Sequence, residues 1–129
     1  MKMKEKEKVS IVICAFNEEE TIAYVVRTCH EFNPGSEIVV VDDGSFDKTP
    51  EILDELKQEF DFKLVTLEEN RGKSNAMVVG VENAKREVIL FWDADVTNIK
   101  EDHFDQLILP VVSDESEADM VLGSPSETL

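Results

Sequence analysis

Basic residues are scarce: 13 lysines and arginines stand against 29 aspartates and glutamates, a formal charge of −16. An acidic excess of that size repels a nucleic-acid backbone or an anionic membrane unless a basic patch intervenes. Beyond scattered lysines in residues 1–8 no such patch is visible, so nucleic acid is not an expected partner. Cysteine is rarer still. Cys14 falls in an apolar run, where a thiol is a small buried hydrophobe, so Cys14 and Cys29 predict no disulfide and fit a reducing cytoplasm. Long apolar runs are missing too. Only about eight apolar-type residues follow the charged opening "MKMKEKEK", against the roughly 20 that a membrane-spanning helix needs. No signal peptide or integral segment is expected, which leaves peripheral contact with a membrane-bound substrate open. With five glycines and four prolines the composition is neither fibrous nor disordered, and no internal repeat is seen.

What is present is a globular chain of 129 residues, 42% hydrophobic, long enough for one self-sufficient core. Residues 1–8 read as a charged tail and 9–129 as one domain. "VSIVICAF" is β-branched and nearly continuous in apolar character, the pattern of a strand buried on both faces. "NEEETIAYVVRTCHEF" predicts a helix capped by Asn17, with Ile22, Val25, Val26 and Cys29 at helical spacing. A second strand, "EIVVV", ends at "DDGSFDKTP", before a helix from about Thr49 to Phe60. "FKLVTL" predicts a third strand, "NAMVVGVENAK" a third helix and "EVILFW" a fourth strand ending on Asp93. A helix near 101–112, limited or kinked by Pro110, and a strand "DMVLG" complete the pattern. His30 and His103, in helices without ligand partners at metal spacing, are expected on the surface.

Strands alternating with helices predict a mostly parallel sheet inside a three-layer α/β/α sandwich, Rossmann-like, with its ligand crevice at the carboxyl ends of the strands. "FNE", "DDGS", "ENRGK" and "DAD" each follow a strand directly, so they converge on one sheet edge. Asp93 and Asp95, in Asp-x-Asp spacing on a tight turn, can share a hard divalent ion, Mg²⁺ or Mn²⁺, whose remaining positions suit diphosphate oxygens. An acidic chain thereby binds an anion through a cation. An Asp-x-Asp pair alone also caps helices or faces solvent; the four clusters together are what point to a site.

In order, "IVICAFNEEETI", "VVVDDGSFDKT", "NRGKSNAM" and "ILFWDADVT" resemble the signatures of family 2 glycosyltransferases, which have the A-type nucleotide-sugar transferase fold. The nearest look is to polyprenyl-phosphate transferases and glucosyl-3-phosphoglycerate synthases. The resemblance implies transfer from a UDP- or GDP-linked sugar to an acceptor hydroxyl or phosphate, with polyprenyl phosphate or phosphoglycerate as candidate acceptors. It implies that Ala15, Phe16, Asn17 and Glu18 hold base and ribose, although Phe16 stands where Tyr is common and Cys14 where Pro is usual. Asp42 and Asp43 would accept hydrogen bonds from base or ribose. Lys73, with Arg71, would lie beside the diphosphate. Asp93, Ala94 and Asp95 would meet the metal-bound diphosphate, with Asp95 the direct ligand and Thr97 a weaker contact.

Relatives continue into an acceptor-binding half that carries the catalytic base, so the resemblance places that base beyond Leu129 and leaves two readings, transfer or nucleotide-sugar binding alone. "ILFWDADVT" also fits a haloacid-dehalogenase-like phosphatase, whose first Asp is a nucleophile. That signature normally opens its domain, and here it falls late. Homo-oligomerisation stays open.

Overall fold

A computed structural model describes residues 3–113 and 120–123. In chain order the elements are α1 (Met3–Lys6), β1 (Val9–Ala15), α2 (Ile22–Phe32), β2 (Glu37–Asp42), α3 (Thr49–Leu56), β3 (Lys63–Thr66), α4 (Lys73–Asn83), β4 (Val88–Asp93), α5 (Glu101–Ser113) and β5 (Met120–Gly123). The strands form one sheet in the order β3-β2-β1-β4-β5. All four pairings are parallel, as the alternation predicts.

Strand alternation decides which helix each side chain meets. Ile11, Ile13 and Ala15 of β1, Ile38 and Val40 of β2, and Leu90 and Trp92 of β4 face one core, with Ile22, Val25, Leu53, Phe104 and Ile108 from α2, α3 and α5. Val12, Val39, Val41 and Phe91 face the other way, toward Ala76 of α4. Helices therefore cover both sheet faces, and the sandwich has its three layers. Gly80 lets α4 lie close: a Cβ there would stand 2.3 Å from Val12 Cγ1, in the buried middle of β1.

Three expectations are corrected. Asn17 does not cap α2; the helix starts at Ile22 after Thr21. Asn17 instead adopts a left-handed φ of 52°, and the N–H groups of Asn17, Glu18 and Glu19 donate to Ser45 Oγ, Thr49 Oγ1 and Asp47 Oδ2 in the loop after β2 and the start of α3. A cross-loop network has replaced a first helical turn. The helix expected to reach about Phe60, α3, closes at Leu56. The last helix, α5, spans the expected residues and runs to Ser113 with Pro110 inside it. His103 is buried at 7% exposure, with Nδ1 accepting the Lys100 N–H at 3.2 Å, whereas His30 is exposed as expected and stacks on Phe60.

The opening residues contribute packing as well as charge. Lys6 is 3% exposed; its ammonium donates to Phe32 O at 2.8 Å and Asn33 Oδ1 at 2.6 Å, and pairs with Asp105 at 3.3 Å. These partners satisfy a cation that burial would otherwise disfavour. Among the described residues no helix is long and apolar enough to cross a membrane.

Candidate functional site

The sheet reverses its direction of growth between β1 and β4, because β2 was added on one side of β1 and β4 on the other. Loops leaving two such strands diverge and open a crevice at their carboxyl ends. A cleft of about 310 Å³ lies there, with Phe16, Glu18, Asp43, Lys73, Asp93 and Asp95 in its wall. Ala15 and Ala94 also line it, and their small side chains leave the room.

Alternation places the first charged pair. Asp93 closes β4 in register with Cys14 of β1, two residues after Phe91, so its carboxylate falls on the α4 side. Lys73 is the first residue of α4. Its Nζ lies 3.2 Å from Asp93 Oδ1, in an ion pair whose lysine side chain is 67% exposed. The hydrogen bond to Asp93 is the largest cause holding the ammonium above its ordinary pKa, with burial opposing and the charges of Asp93, Cys14 and Asp95 adding.

Opposite stands Glu18. Burial is the main cause raising its carboxyl above the ordinary value, followed by the negative charges of Asp95, Asp47 and Asp93. The loop carrying Asp95 is tied to the start of α2, where Thr21 Oγ1 donates to Ala94 O at 2.8 Å. Asp95 itself is exposed. Glu18 and Asp95 also share an adjoining hollow of about 380 Å³ with Asn17, Glu19 and Asp47.

Among the described residues, no three His, Cys, Asp or Glu side chains close on one point as a ready protein cage. Mg²⁺ does not need one: it is held by one or two carboxylates, waters and substrate phosphates. Asp95 is open to solvent, Asp93 pairs with Lys73, and the charges of Asp95 and Asp93 both bear on Glu18 across the cleft. Asp95 and Asp93 are the carboxylates that would hold such a divalent ion.

The other residues named from the sequence separate. Asp42 is buried on the α2–α3 side, away from the cleft; Oδ1 accepts the Ser45 N–H at 3.1 Å, and Oδ2 finds no partner among the described residues. The Arg71 guanidinium pairs with Glu69 at 3.0 Å and does not line the cleft. Asn17 braces the adjoining loop, its Oδ1 accepting the Phe46 N–H at 2.9 Å. Thr97 is exposed and lines neither hollow. Asn70 and Cys14 were missed as lining residues. Asn70 lay inside the flagged "ENRGK" cluster; Cys14 looked like plain core because the strand end opens to solvent only in the folded sheet.

Burial pushes the Cys14 thiol up to about 11, with Lys73 partly opposing and Asp43 and Asp93 adding to the rise. Its alkylation by iodoacetamide should accordingly keep accelerating up to about pH 11 instead of levelling near the ordinary thiol value of about 8.5. Mass spectrometry of the labelled chain against pH measures this, and a plateau below pH 9 would show that the thiol is not held in its neutral form.

A parallel α/β sandwich with charged groups gathered at its switch point belongs to the Rossmann-like class of proteins that take ligands at strand carboxyl ends. Within that class the assignment is specific. Residues 10–125 match Glycosyl transferase family 2, and the chain belongs to that family. Over 90 residues it is 40% identical to poly-beta-1,6-N-acetyl-D-glucosamine synthase of Staphylococcus epidermidis, a match covering 69% of this chain and 22% of that protein. The chain thus spans about a fifth of the length of the curated relatives it matches. It is similar to the Pyrobaculum calidifontis mannosyltransferase PcManGT in complex with GDP-Man and Mn²⁺ (TM-score 0.67, 28% identity, 75% of this chain and 30% of that one). S. aureus TarS with UDP-GlcNAc gives a TM-score of 0.62 at 29% identity, over 68% and 26% of the two chains. Glucosyl-3-phosphoglycerate synthase from Mycobacterium tuberculosis, at 23% identity over 89% of this chain and 45% of that one, shares the fold with a TM-score of 0.74. Membership of a glycosyltransferase family displaces the phosphatase alternative.

Proposed function

We propose that the cleft binds a nucleoside-diphosphate sugar with Mg²⁺ or Mn²⁺, and that this chain is the donor-binding part of a glycosyltransferase working in a reducing, cytoplasmic setting. The observation that carries this reading is the gathering of Phe16, Glu18, Lys73, Asp93 and Asp95 around one cleft at the switch point. Relatives solved with GDP-Man and Mn²⁺ or with UDP-GlcNAc support the ligand class.

Phe16, half turned to solvent and set edge-to-face against Phe46 at 5.7 Å, offers an aromatic wall to the base. Glu18 offers acceptors to ribose hydroxyls. Asp93 and Asp95 would hold the cation, which when bound neutralises charge on the departing diphosphate. Lys73 stands at the same end and places its ammonium where that charge develops. In transfer, an acceptor oxygen forms its bond to the anomeric carbon as the bond from that carbon to the diphosphate breaks, the electron pair leaving with the nucleotide. The acceptor's proton must pass to a base, which the family resemblance places outside these residues. Polyprenyl phosphate and phosphoglycerate are the acceptors to try first.

Calorimetry with UDP and GDP, each with and without Mn²⁺, tests the reading: one nucleotide should bind, and more tightly with the metal. If neither binds with Mn²⁺ present, binding and transfer both fall. Transfer is decided separately by release of UDP or GDP from the sugar nucleotide in the presence of acceptor. Because the chain spans 22% of its relative, binding without turnover is the second reading.

A further inference from the structure

We propose that Thr21 and Tyr24 are positioning residues: from the start of α2 they clamp the 94–99 loop at both ends and so set Asp95 at the cleft. Three residues apart, they stand on one face of the helix. Thr21 Oγ1 donates to Ala94 O at 2.8 Å, and Tyr24 Oη accepts the Ile99 N–H at 2.7 Å. Ala94 and Ile99 are buried, while Asp95, Thr97 and Asn98 between them are exposed.

Neither hydroxyl does what its position would ordinarily ask. A threonine at the N-cap usually turns its oxygen to the free amides of its own helix. Thr21 occupies that place and makes no such bond; its hydroxyl goes to the loop after β4 instead. Tyr24 is 41% exposed, yet its hydroxyl meets a main-chain amide 75 residues further along the chain.

Planarity of the peptide unit carries the first tie to Asp95. Ala94 O and the Asp95 nitrogen belong to one rigid plane, so a bond at that oxygen fixes the direction in which Asp95 leaves it. The Ile99 N–H belongs likewise to the unit after Asn98, whose φ of 58° is left-handed. The clamp works against charge. Asp95 bears on Glu18 with like sign, and that repulsion would drive an untied loop away from the opposite wall. Held by two hydroxyls, the acidic walls stay together before any cation arrives.

The role toward the cation rests on the reading proposed above; the clamp itself does not. Tyr24→Phe deletes one hydroxyl and keeps the ring. In the ligand-free variant, hydrogen exchange at the Ile99 amide should quicken about tenfold, with the β1 and β4 amides unchanged. For whichever of UDP or GDP the wild type binds, the gain in affinity on adding Mn²⁺ should shrink about three- to tenfold in Tyr24→Phe and in Thr21→Val, while affinity without metal stays the same. Thr21→Ser, which restores the donor, should return the wild-type gain. Unchanged Ile99 exchange would mean that the hydroxyl holds nothing, and an unchanged Mn²⁺ gain that Asp95 needs no setting. Equal losses with and without metal would mean that the two residues act on the whole cleft; each of these results overturns the proposal. If the wild type shows no Mn²⁺ gain, the cation reading fails and Ile99 exchange alone decides the clamp. Should Tyr24→Phe not fold, the contrast between Thr21→Val and Thr21→Ser decides it, and equal Mn²⁺ gains in those two overturn the proposal.

Discussion

Asp95→Ala should erase the difference between nucleotide affinity measured with and without Mn²⁺, while leaving the unfolding midpoint where it was. The side chain is exposed, so its removal opens no cavity and strands no buried partner; surface changes of that kind stay within about 0.5 kcal/mol. Its expected effect lies in the ligand. With Asp93 engaged by Lys73, Asp95 is the carboxylate of the pair left open to a cation. A charged contact of this kind is worth about 1.5–3 kcal/mol, or roughly ten- to a hundredfold in affinity. Asp93→Ala would be a poorer test, because it releases Lys73 and changes two charges' surroundings at once. Calorimetry of the variant with and without Mn²⁺ measures the outcome, and a metal response equal to that of the wild type would put the cation elsewhere.

Trp92→Ala should lower stability by about 3–5 kcal/mol, a large share of the roughly 5–15 kcal/mol that holds a domain of this size. Trp92 is 2% exposed and stacks on Phe104 at 4.1 Å, joining β4 to α5. Its indole Nε1 is buried and has no partner among the described residues. Trp92→Phe deletes that N–H and retains an aromatic ring against Phe104, so it should cost much less than alanine. Urea unfolding of both variants measures the gap, and equal losses would mean that the indole N–H, not the ring, matters. The consequence reaches the cleft, since Trp92 and Asp93 are consecutive on β4 and face opposite layers.

Much of this was legible in the residues. "VSIVICAF", "EIVVV" and "EVILFW" announce buried strands by β-branched continuity, and the helices between them force parallel pairing. That rule alone brings four polar clusters to one edge. Legibility failed where the partner of a backbone group was not local. Asn17 has the chemistry of a helix cap, but its loop spends its N–H groups on Ser45, Thr49 and Asp47, distant in sequence and near in space. His103 was expected on the surface because no ligand partner stands at metal spacing, yet it is buried, with Nδ1 accepting the Lys100 N–H. Lys6 read as tail charge until Phe32, Asn33 and Asp105 closed around it.

The sequence by itself determined the class of fold, the family and the strand ends at which chemistry collects, because period and order survive without coordinates. Only the tertiary structure decided how neighbouring acids divide their work. Asp42 and Asp43 are adjacent and chemically identical, but alternation turns Asp42 into the α2–α3 side and leaves Asp43 facing the loop that carries Lys73. Asp93 and Asp95 are two apart, and the turn between them pairs one with an ammonium and leaves the other in solvent. Which carboxylate is spent and which is free depends on what lies across the cleft, and that is set by packing between distant segments.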